Sequence, residues 1–275
     1  LTAAAVAFAY CGEGGRPTGP IVFVGSQRSS DRGSSDAFQN LTAAIQWAAQ
    51  GPLPSGDGDG TVIAMHATHN CDEIAILSGV TSRKMHTSSR PAFRSLSREP
   101  IAIINLSNGL PELVNDSKLI REICSEPILF LENLNIHILE AGPFLRSHQI
   151  PDAEEIHALI FRGTGLGHIP LANPEEENEH GWIAQKLKMF QENGIPIVTT
   201  QQCIHGPINL NVYSKGRLMQ NIGIGPSQTT MTPDTGVVKA AYLISRGMTG
   251  SRFWENYVIN LTGEVTESLF LESNA

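Results

Sequence analysis

The sequence predicts an α/β fold made of two α/β units with mainly parallel sheets. Short apolar runs rich in β-branched residues, such as IVFVG at 21–25, have the composition of buried parallel strands. Longer segments between these runs repeat apolar residues at helical spacing. The chain of 275 residues is 41% hydrophobic and 17% charged, which is enough to bury a core without disulfide or metal support.

The first unit is predicted to contain a strand–helix–strand unit. The apolar, Ala-rich segment 1–11 precedes it and is interpreted as part of a buried helix. Strands are predicted at 21–25 and at 61–66, where the sequence is TVIAMH. Because one helix connects them, we expect the two strands to be parallel with a right-handed crossover.

The connecting helix is predicted from its cap and its periodicity. Ser35 is placed to cap its start and Gly51 to end it. The residues Leu41, Ile45 and Ala48 recur at helical spacing, so we expect them to form the buried face.

The second unit repeats the alternation of strands and helices. Apolar runs predict strands at 136–140, 157–161 and 196–200, and a glycine-rich loop, GTGLGH, lies at 163–168. Two helices are predicted, one capped by Asn173 and one starting at Thr232. The predicted apolar stripe of the first of these helices consists of Ile183, Leu187 and Phe190.

The hydrophobic pattern loosens between the two units. We therefore predict a first domain at 1–112, a linker at 113–133 and a second domain at 134–275.

Charge and cysteine content exclude several classes of function. The net charge is 19 − 27 = −8, so the chain has no strong phosphate-binding field of its own. No apolar run approaches the roughly 20 residues of a membrane span. The four cysteines are scattered without a CxxC pair, which favours reduced thiols and a cytoplasmic protein without a zinc ribbon.

Two basic or hydroxyl-rich segments are candidates for a site. The loop SQRSSDRGSSD at 26–36 follows the first strand, where α/β sheets bind ligands, and its alternative interpretation is a solvated loop. Lys84 lies beside Arg83, His86 and Arg90. If it is partly buried, such crowding favours a lysine that accepts a proton. On charge alone, a basic surface loop is the favoured interpretation of this segment.

Two further patterns are weaker. His66, His69 and Cys71 lie close together, but no fourth ligand accompanies them, so ordinary strand-end histidines are preferred over a metal site. The loop GTGLGH has His168 where a dinucleotide fingerprint needs its third glycine, which favours a tight turn.

Five segments together resemble the asparaginase family: 22–41, 83–95, 163–168, 195–217 and 231–239. The sequences QRSSDR and RKMHTS are the specific parts. They are most similar to the D subunits of archaeal-type Glu-tRNA(Gln) amidotransferases, and the resemblance covers nearly the whole chain.

This resemblance implies an amidohydrolase. In the family, a threonine hydroxyl attacks the side-chain amide of Gln or Asn, and ammonia leaves. The family's catalytic lysine falls on Lys84, which is implied to deprotonate a second threonine and to hold an aspartate. Ser26 matches the place where the family's backbone meets the substrate amide.

The chain departs from the family pattern at its start. The family's TGGT-like and GTDT motifs, which carry both threonines and the aspartate, do not occur in these 275 residues. We therefore expect an incomplete first domain that belongs to a longer protein, and no amide hydrolysis by this chain alone.

The resemblance also implies partners. The ammonia would pass to a larger amidotransferase subunit that converts Glu-tRNA(Gln) to Gln-tRNA(Gln), with ATP and Mg expected on that subunit and no cofactor or metal in this chain. Contact with tRNA would be indirect, and the chain would form a homodimer. Two alternatives stay open: a stand-alone cytosolic L-asparaginase, and a non-catalytic binding or scaffold protein that lacks the threonine nucleophile.

Overall fold

The computed structural model of the protein describes residues 1–12, 16–53, 59–70, 72–108, 111–114, 124 and 126–266. The chain divides into two compact units. The second unit comprises Leu129–Ile259, and the first comprises the residues before it together with the segment that begins at Asn260. The division falls within the predicted linker, but the segment from Asn260 onward groups with the first unit, whereas the sequence-based boundaries give it to the second domain.

The first unit is built on a five-stranded sheet with the order β1-β2-β3-β6-β7. Its strands are β1 (Ile21–Val24), β2 (Thr61–His66), β3 (Glu73–Ser78), β6 (Ala102–Asn105) and β7 (Pro111–Leu113). The short strands β4 (Ser82–Lys84) and β5 (Phe93–Ser95) form a separate antiparallel hairpin.

The α/β class and the βαβ unit are confirmed, but the first sheet is mixed. Strands β1 and β2 are parallel, as the crossover helix requires. The pairs β2–β3, β3–β6 and β6–β7 are antiparallel. The expectation of mainly parallel sheets therefore fails in this unit. The connections from β2 to β3 and from β6 to β7 are too short for the crossovers that parallel neighbours need, and the longer connection from β3 to β6 contains the hairpin of β4 and β5.

Two helices pack on this sheet. Helix α1 (Thr2–Ala9) is the predicted Ala-rich helix, and Ala4 and Phe8 are buried in it. Helix α2 (Ala37–Gln50) crosses from β1 to β2 and contacts both strands.

The predicted buried face of α2 is wrong. Leu41 and Ile45 are 50% and 60% exposed, and Ala48 is exposed too. The opposite side has the same helical spacing and is buried, namely Asn40, Ala43, Ala44 and Trp47. Because Asn40 is polar, a search for apolar residues at helical spacing does not identify this second stripe. Trp47, which is fully buried, is the large side chain of the face that packs on Val62 and Ile74.

The second unit contains a parallel sheet with the order β12-β10-β9-β8. Its strands are β8 (Ile136–Glu140), β9 (Ala158–Gly163), β10 (Ile197–Gln201) and β12 (Ile224–Gly225). All three pairings are parallel, so the prediction of a parallel sheet is confirmed here. The small strands β11 (Ile208–Asn209) and β13 (Gln228–Thr229) pair antiparallel.

Four helices belong to this unit, namely α3 (Glu179–Glu192), α4 (Ser214–Asn221), α5 (Pro233–Ser245) and α6 (Gly250–Val258). Helix α5 starts as predicted, with the Thr232 hydroxyl accepting a hydrogen bond from Thr235 N. Helix α3 starts later than predicted, because Asn178 and not Asn173 accepts a hydrogen bond from Gly181 N. The predicted stripe of α3 is confirmed, since Ile183, Leu187 and Phe190 are fully buried.

None of the helices in the described ranges combines the length and the apolar character that crossing a membrane would take.

Candidate functional site at the carboxyl edge of the first sheet

The βαβ unit brings the candidate segments of the first unit to one edge. Val24, the last residue of β1, lies opposite Ala64 in the parallel pair, and β2 continues to His66. The loop 25–36 leaves β1 at this edge and leads into α2. Carboxyl ends of parallel strands are where α/β sheets bind ligands, so the topology places the loop and His66 at such an edge.

The side chain of Asp36 organises the start of this loop. Asp36 is fully buried, and its carboxylate accepts hydrogen bonds from Gln27 N at 3.0 and 3.1 Å and from Arg28 N at 3.1 Å. Burial by itself raises the pKa of Asp36, but the backbone hydrogen bonds from Gln27 and Arg28 outweigh it and lower that pKa below the usual value. The group is therefore held as a carboxylate.

Asn40 connects this carboxylate to β1 and β2. Its Nδ2 donates to Gly25 O at 2.9 Å and to Asp36 Oδ2 at 3.1 Å. Its Oδ1 lies 2.7 Å from His66 Nδ1. Gly25 O and an ionised carboxylate are acceptors only, which fixes the orientation of the amide. The Oδ1 atom must then accept, so Nδ1 of His66 carries the proton.

The His66 imidazole is held in its neutral form. His66 is 1% exposed, and burial lowers its pKa, while the charge of Asp36 raises it and Arg90 lowers it further. The Nε2 atom is buried and has no hydrogen-bond partner among the described residues. With Nδ1 protonated, this Nε2 is an acceptor.

Lys84 lies on the hairpin of β4 and β5. It is opposite Phe93 in the antiparallel pair, and its Nζ lies 6.0 Å from the centroid of the Phe93 ring. Lys84 is exposed, so the condition of partial burial, under which its crowding would favour proton acceptance, is not met in the described part of the chain. The exposure agrees with the alternative of a basic surface loop, and it also leaves the amine accessible to a group from another segment.

An arginine links this hairpin to the loop after β1. Arg90 Nη2 donates to Ser34 O at 3.1 Å, and Arg28 Nη1 donates to the Ser34 hydroxyl at 2.8 Å. The hairpin that carries Lys84 is therefore held beside the carboxyl-edge loop. Ser26 lies in the same loop, two residues after β1, and is exposed. The structure thus brings the two segments with sequence-predicted site residues together.

The histidine cluster does not form a metal site in the part of the chain that is described. No group of three or more metal-ligating side chains occurs there. His66 is bonded to Asn40, His69 is exposed, and Cys71 lies outside the described residues. Cys124 and Cys203 are exposed and form no disulfide within the described part of the chain.

The glycine loop of the second unit forms a tight turn. Thr164 N donates to His168 O at 2.8 Å, which closes the turn directly after β9. Gly167 has a φ of 99°, and a Cβ added at Gly163 would lie 2.3 Å from the Gly167 carbonyl carbon. The Thr199 hydroxyl donates to Gly167 O at 2.7 Å. No helix begins at this turn, so the preference for a tight turn over a dinucleotide fingerprint is confirmed.

The sequence did not predict the roles of two residues at this edge. These are Asp36, which accepts hydrogen bonds from the loop backbone, and Asn40, which is hydrogen-bonded to His66. Their spacing of four residues at a helix start carried a signal, because it places both side chains on one face of the first turn. A polar residue inside an otherwise buried stripe was the second signal.

Two family models match the chain. The model of the asparaginase N-terminal domain matches residues 1–115, and the model of the glutaminase/asparaginase C-terminal domain matches residues 135–254.

The chain is similar to D subunits of glutamyl-tRNA(Gln) amidotransferase. It is 33% identical to that of Sulfolobus acidocaldarius over 267 residues, which are 96% of this chain and 55% of the relative. It is 35% identical to that of Methanopyrus kandleri over 252 residues, which are 90% of this chain and 50% of the relative. The chain thus spans about half the length of the curated relatives it matches.

Solved structures show the same fold. The thermostable L-asparaginase from Thermococcus kodakarensis matches with a TM-score of 0.77 at 22% identity, over 97% of this chain and 73% of the other. L-asparaginase I from Vibrio cholerae matches with a TM-score of 0.72 at 22% identity, over 96% of this chain and 72% of the other. With both of its domain models matched and its fold shared, the chain belongs to the asparaginase family.

Proposed function

We propose that the chain is part of an amidohydrolase that hydrolyses the side-chain amide of Gln, or of Asn, and supplies the released ammonia to an amidotransferase. The observation that carries this proposal is the similarity to D subunits, at 33% identity over 96% of this chain. The asparaginase structures support the fold but, at 22% identity, do not distinguish a stand-alone asparaginase from an amidotransferase subunit.

The chemistry of the family requires a nucleophile, a base and a bound amide. A threonine hydroxyl loses its proton and its oxygen bonds to the amide carbon. The carbon–nitrogen bond then breaks, and the nitrogen leaves as ammonia after it takes up a proton. Water releases the acid from the resulting ester and restores the hydroxyl. The threonines and the aspartate that the family uses do not occur at matched positions of these 275 residues, so the proposal assigns them to a longer polypeptide.

In this proposal Lys84 supplies the amine. It lies on a hairpin that Arg90 holds beside the carboxyl-edge loop, and its side chain is exposed. The proposal assigns to this amine the role that the resemblance implies: once a neighbouring segment packs against it, it takes the proton of a hydroxyl on that segment and holds a carboxylate beside it. Ser26, exposed on the adjacent loop, contributes the backbone that meets the amide.

The partner in this proposal is a larger subunit that receives ammonia and amidates Glu-tRNA(Gln). The relatives are D subunits of glutamyl-tRNA(Gln) amidotransferase, which supports a partner subunit. The net charge of −8 supports contact with tRNA through that partner and not through this chain. A homodimer of the chain is part of the same proposal.

The proposal is tested by measuring ammonia release from L-glutamine and L-asparagine. The 275-residue chain is compared with the polypeptide extended at its amino end to the length of the relatives. We expect turnover by the extended polypeptide and none by the shorter chain. Turnover by the shorter chain would contradict the assignment of the nucleophile. No turnover by the extended polypeptide, alone or with its partner, would favour the non-catalytic binding protein.

A second measurement separates the amidotransferase subunit from a stand-alone asparaginase. The extended polypeptide is used to capture proteins from the source cells in the presence of tRNA. Co-purification of a larger subunit that amidates Glu-tRNA(Gln) when given L-glutamine is the expected result. A polypeptide that turns over L-asparagine and stays alone would favour the asparaginase.

A further inference from the structure

We propose that Asp36, Asn40 and His66 form a positioning unit that fixes the backbone of Ser26 toward the substrate amide. The inference rests on the proposed function, because it concerns how that site would hold its substrate. None of the three side chains is exposed by more than 1%, so none of them touches the substrate directly. They act through the loop that follows β1.

The argument starts from the planarity of two peptide bonds. Gly25 O accepts from Asn40 Nδ2 at 2.9 Å, so this carbonyl points into the protein. In a trans peptide the N–H points opposite to the carbonyl, so the N–H of Ser26 points outward. The next peptide is turned the other way, because Gln27 N donates to Asp36. The carbonyl of Ser26 therefore points outward as well.

Because the two peptide bonds face opposite ways, the N–H and the C=O of Ser26 both lie on its exposed side, as a donor and an acceptor. A carboxamide offers one carbonyl acceptor and two N–H donors. A backbone N–H and C=O that face the same way match that set of groups. The hydroxyl of Ser26 is not needed for this match, which explains how a backbone position is able to serve as the contact.

Each member of the unit orients the next one. The proton on His66 Nδ1 fixes the Asn40 amide at 2.7 Å. The Asn40 Nδ2 atom then binds both Gly25 O and Asp36 Oδ2. The Asp36 carboxylate in turn holds the N–H groups of Gln27 and Arg28. Because the three side chains are buried, water does not compete for these hydrogen bonds.

The test uses the extended polypeptide and measures kcat and KM for L-glutamine and L-asparagine. Asp36→Asn keeps the shape but places an N–H₂ group against the backbone donors. We expect KM to rise about tenfold while kcat changes less than about threefold, because an interaction present in both ground and transition states is weakened. Asp72→Asn, which removes an exposed carboxylate of the same unit, is the matched control.

If Asp36→Asn does not fold, two variants at His66 provide a second test. His66→Asn places an amide donor at the position of Nδ1, whereas His66→Leu removes the donor. We expect KM close to wild type for His66→Asn and raised for His66→Leu. If the role of His66 were merely structural, KM would change alike in both variants. That result would overturn the inference.

The outcomes separate the inference from the proposed function. If the wild-type extended polypeptide shows no turnover, the proposed function fails and the inference falls with it. If it turns over while Asp36→Asn and His66→Leu keep the KM of Asp72→Asn, the positioning unit is wrong and the proposed function stands.

Discussion

The carboxyl edges of the two sheets have similar topology but different polar groups. At the edge of the first sheet, a buried carboxylate and a neutral imidazole hold a loop whose exposed side faces solvent. At the edge of the second sheet, the hydroxyl of Thr199 closes a glycine turn, and the amide of Gln202 binds the carbonyls of Ala141 and Arg162. The Thr199 hydroxyl and the Gln202 amide of the second edge therefore donate to carbonyls of the protein itself.

The difference supports the first edge as the one proposed to bind a ligand. Burial of the ionised Asp36 costs free energy that neutral hydrogen bonds at the second edge avoid. The first edge bears that cost and orients backbone groups outward, whereas the Thr199 hydroxyl and the Gln202 amide at the second edge donate inward to protein carbonyls. The predictions below test this contrast, from the largest expected effect to the smallest.

Gly163→Ala is expected to destabilise the second unit most. The added Cβ would lie 2.3 Å from the carbonyl carbon and 2.4 Å from the carbonyl oxygen of Gly167, which are backbone atoms that cannot move away cheaply. We expect a loss of about 3 kcal/mol in the free energy of unfolding, measured by chemical denaturation. Gly142→Ala is the control, because nothing lies within 4 Å of its added Cβ. Equal stability of the two variants would show that the turn is not closed as described.

Thr199→Val is expected to have a smaller effect at the same turn. Valine has the shape of threonine but leaves Gly167 O without its hydrogen bond at 2.7 Å. We expect a loss of about 1.5 kcal/mol in unfolding free energy. Thr199→Ser keeps the hydroxyl and should lose less. Ammonia release by the extended polypeptide should persist in Thr199→Val at a temperature where it is folded. Loss of turnover in the folded variant would assign chemistry to the second edge.

The pH dependence of stability should contain a small contribution from His66. Its pKa in the folded protein is lowered by burial, so below a pH of about 6.5 the unfolded chain binds a proton there that the folded chain does not. The free energy of unfolding should therefore fall as the pH falls from 7 toward 5, and fall less in His66→Gln. His69→Gln, which removes an exposed imidazole nearby, is the control. Identical slopes for wild type and His66→Gln would contradict a neutral, buried imidazole.

Many of the strands and helices could be predicted from local sequence patterns, because residues that form those patterns also pack in the core. The strands β1, β2, β8 and β10 are short segments rich in apolar and β-branched residues, and α5 has a threonine cap followed by proline. The face of α2 failed because its two sides have the same helical spacing. A polar residue at position 40 made the buried side look like the solvated one.

The site was only partly predictable from the sequence, because part of it depends on contacts between segments that are far apart along the chain. Lys84 and Ser26 were found through the resemblance, which depends on the identity of residues. The role of Asp36 and Asn40 depends on hydrogen bonds between a loop, a helix start and β2, which the sequence separates by up to 26 positions. The antiparallel neighbours of β2 were missed because β3 is as continuously apolar as a parallel strand.

The most direct test of the first edge as the reactive one is ammonia release by the extended polypeptide carrying Lys84→Ala. Lys188→Ala, which removes another exposed lysine, from helix α3, is the control. The account predicts that Lys84→Ala folds as the wild type does and lowers kcat for L-glutamine by at least about a hundredfold, whereas Lys188→Ala leaves it unchanged. A folded Lys84→Ala protein that retains more than a few per cent of the wild-type rate would contradict the account.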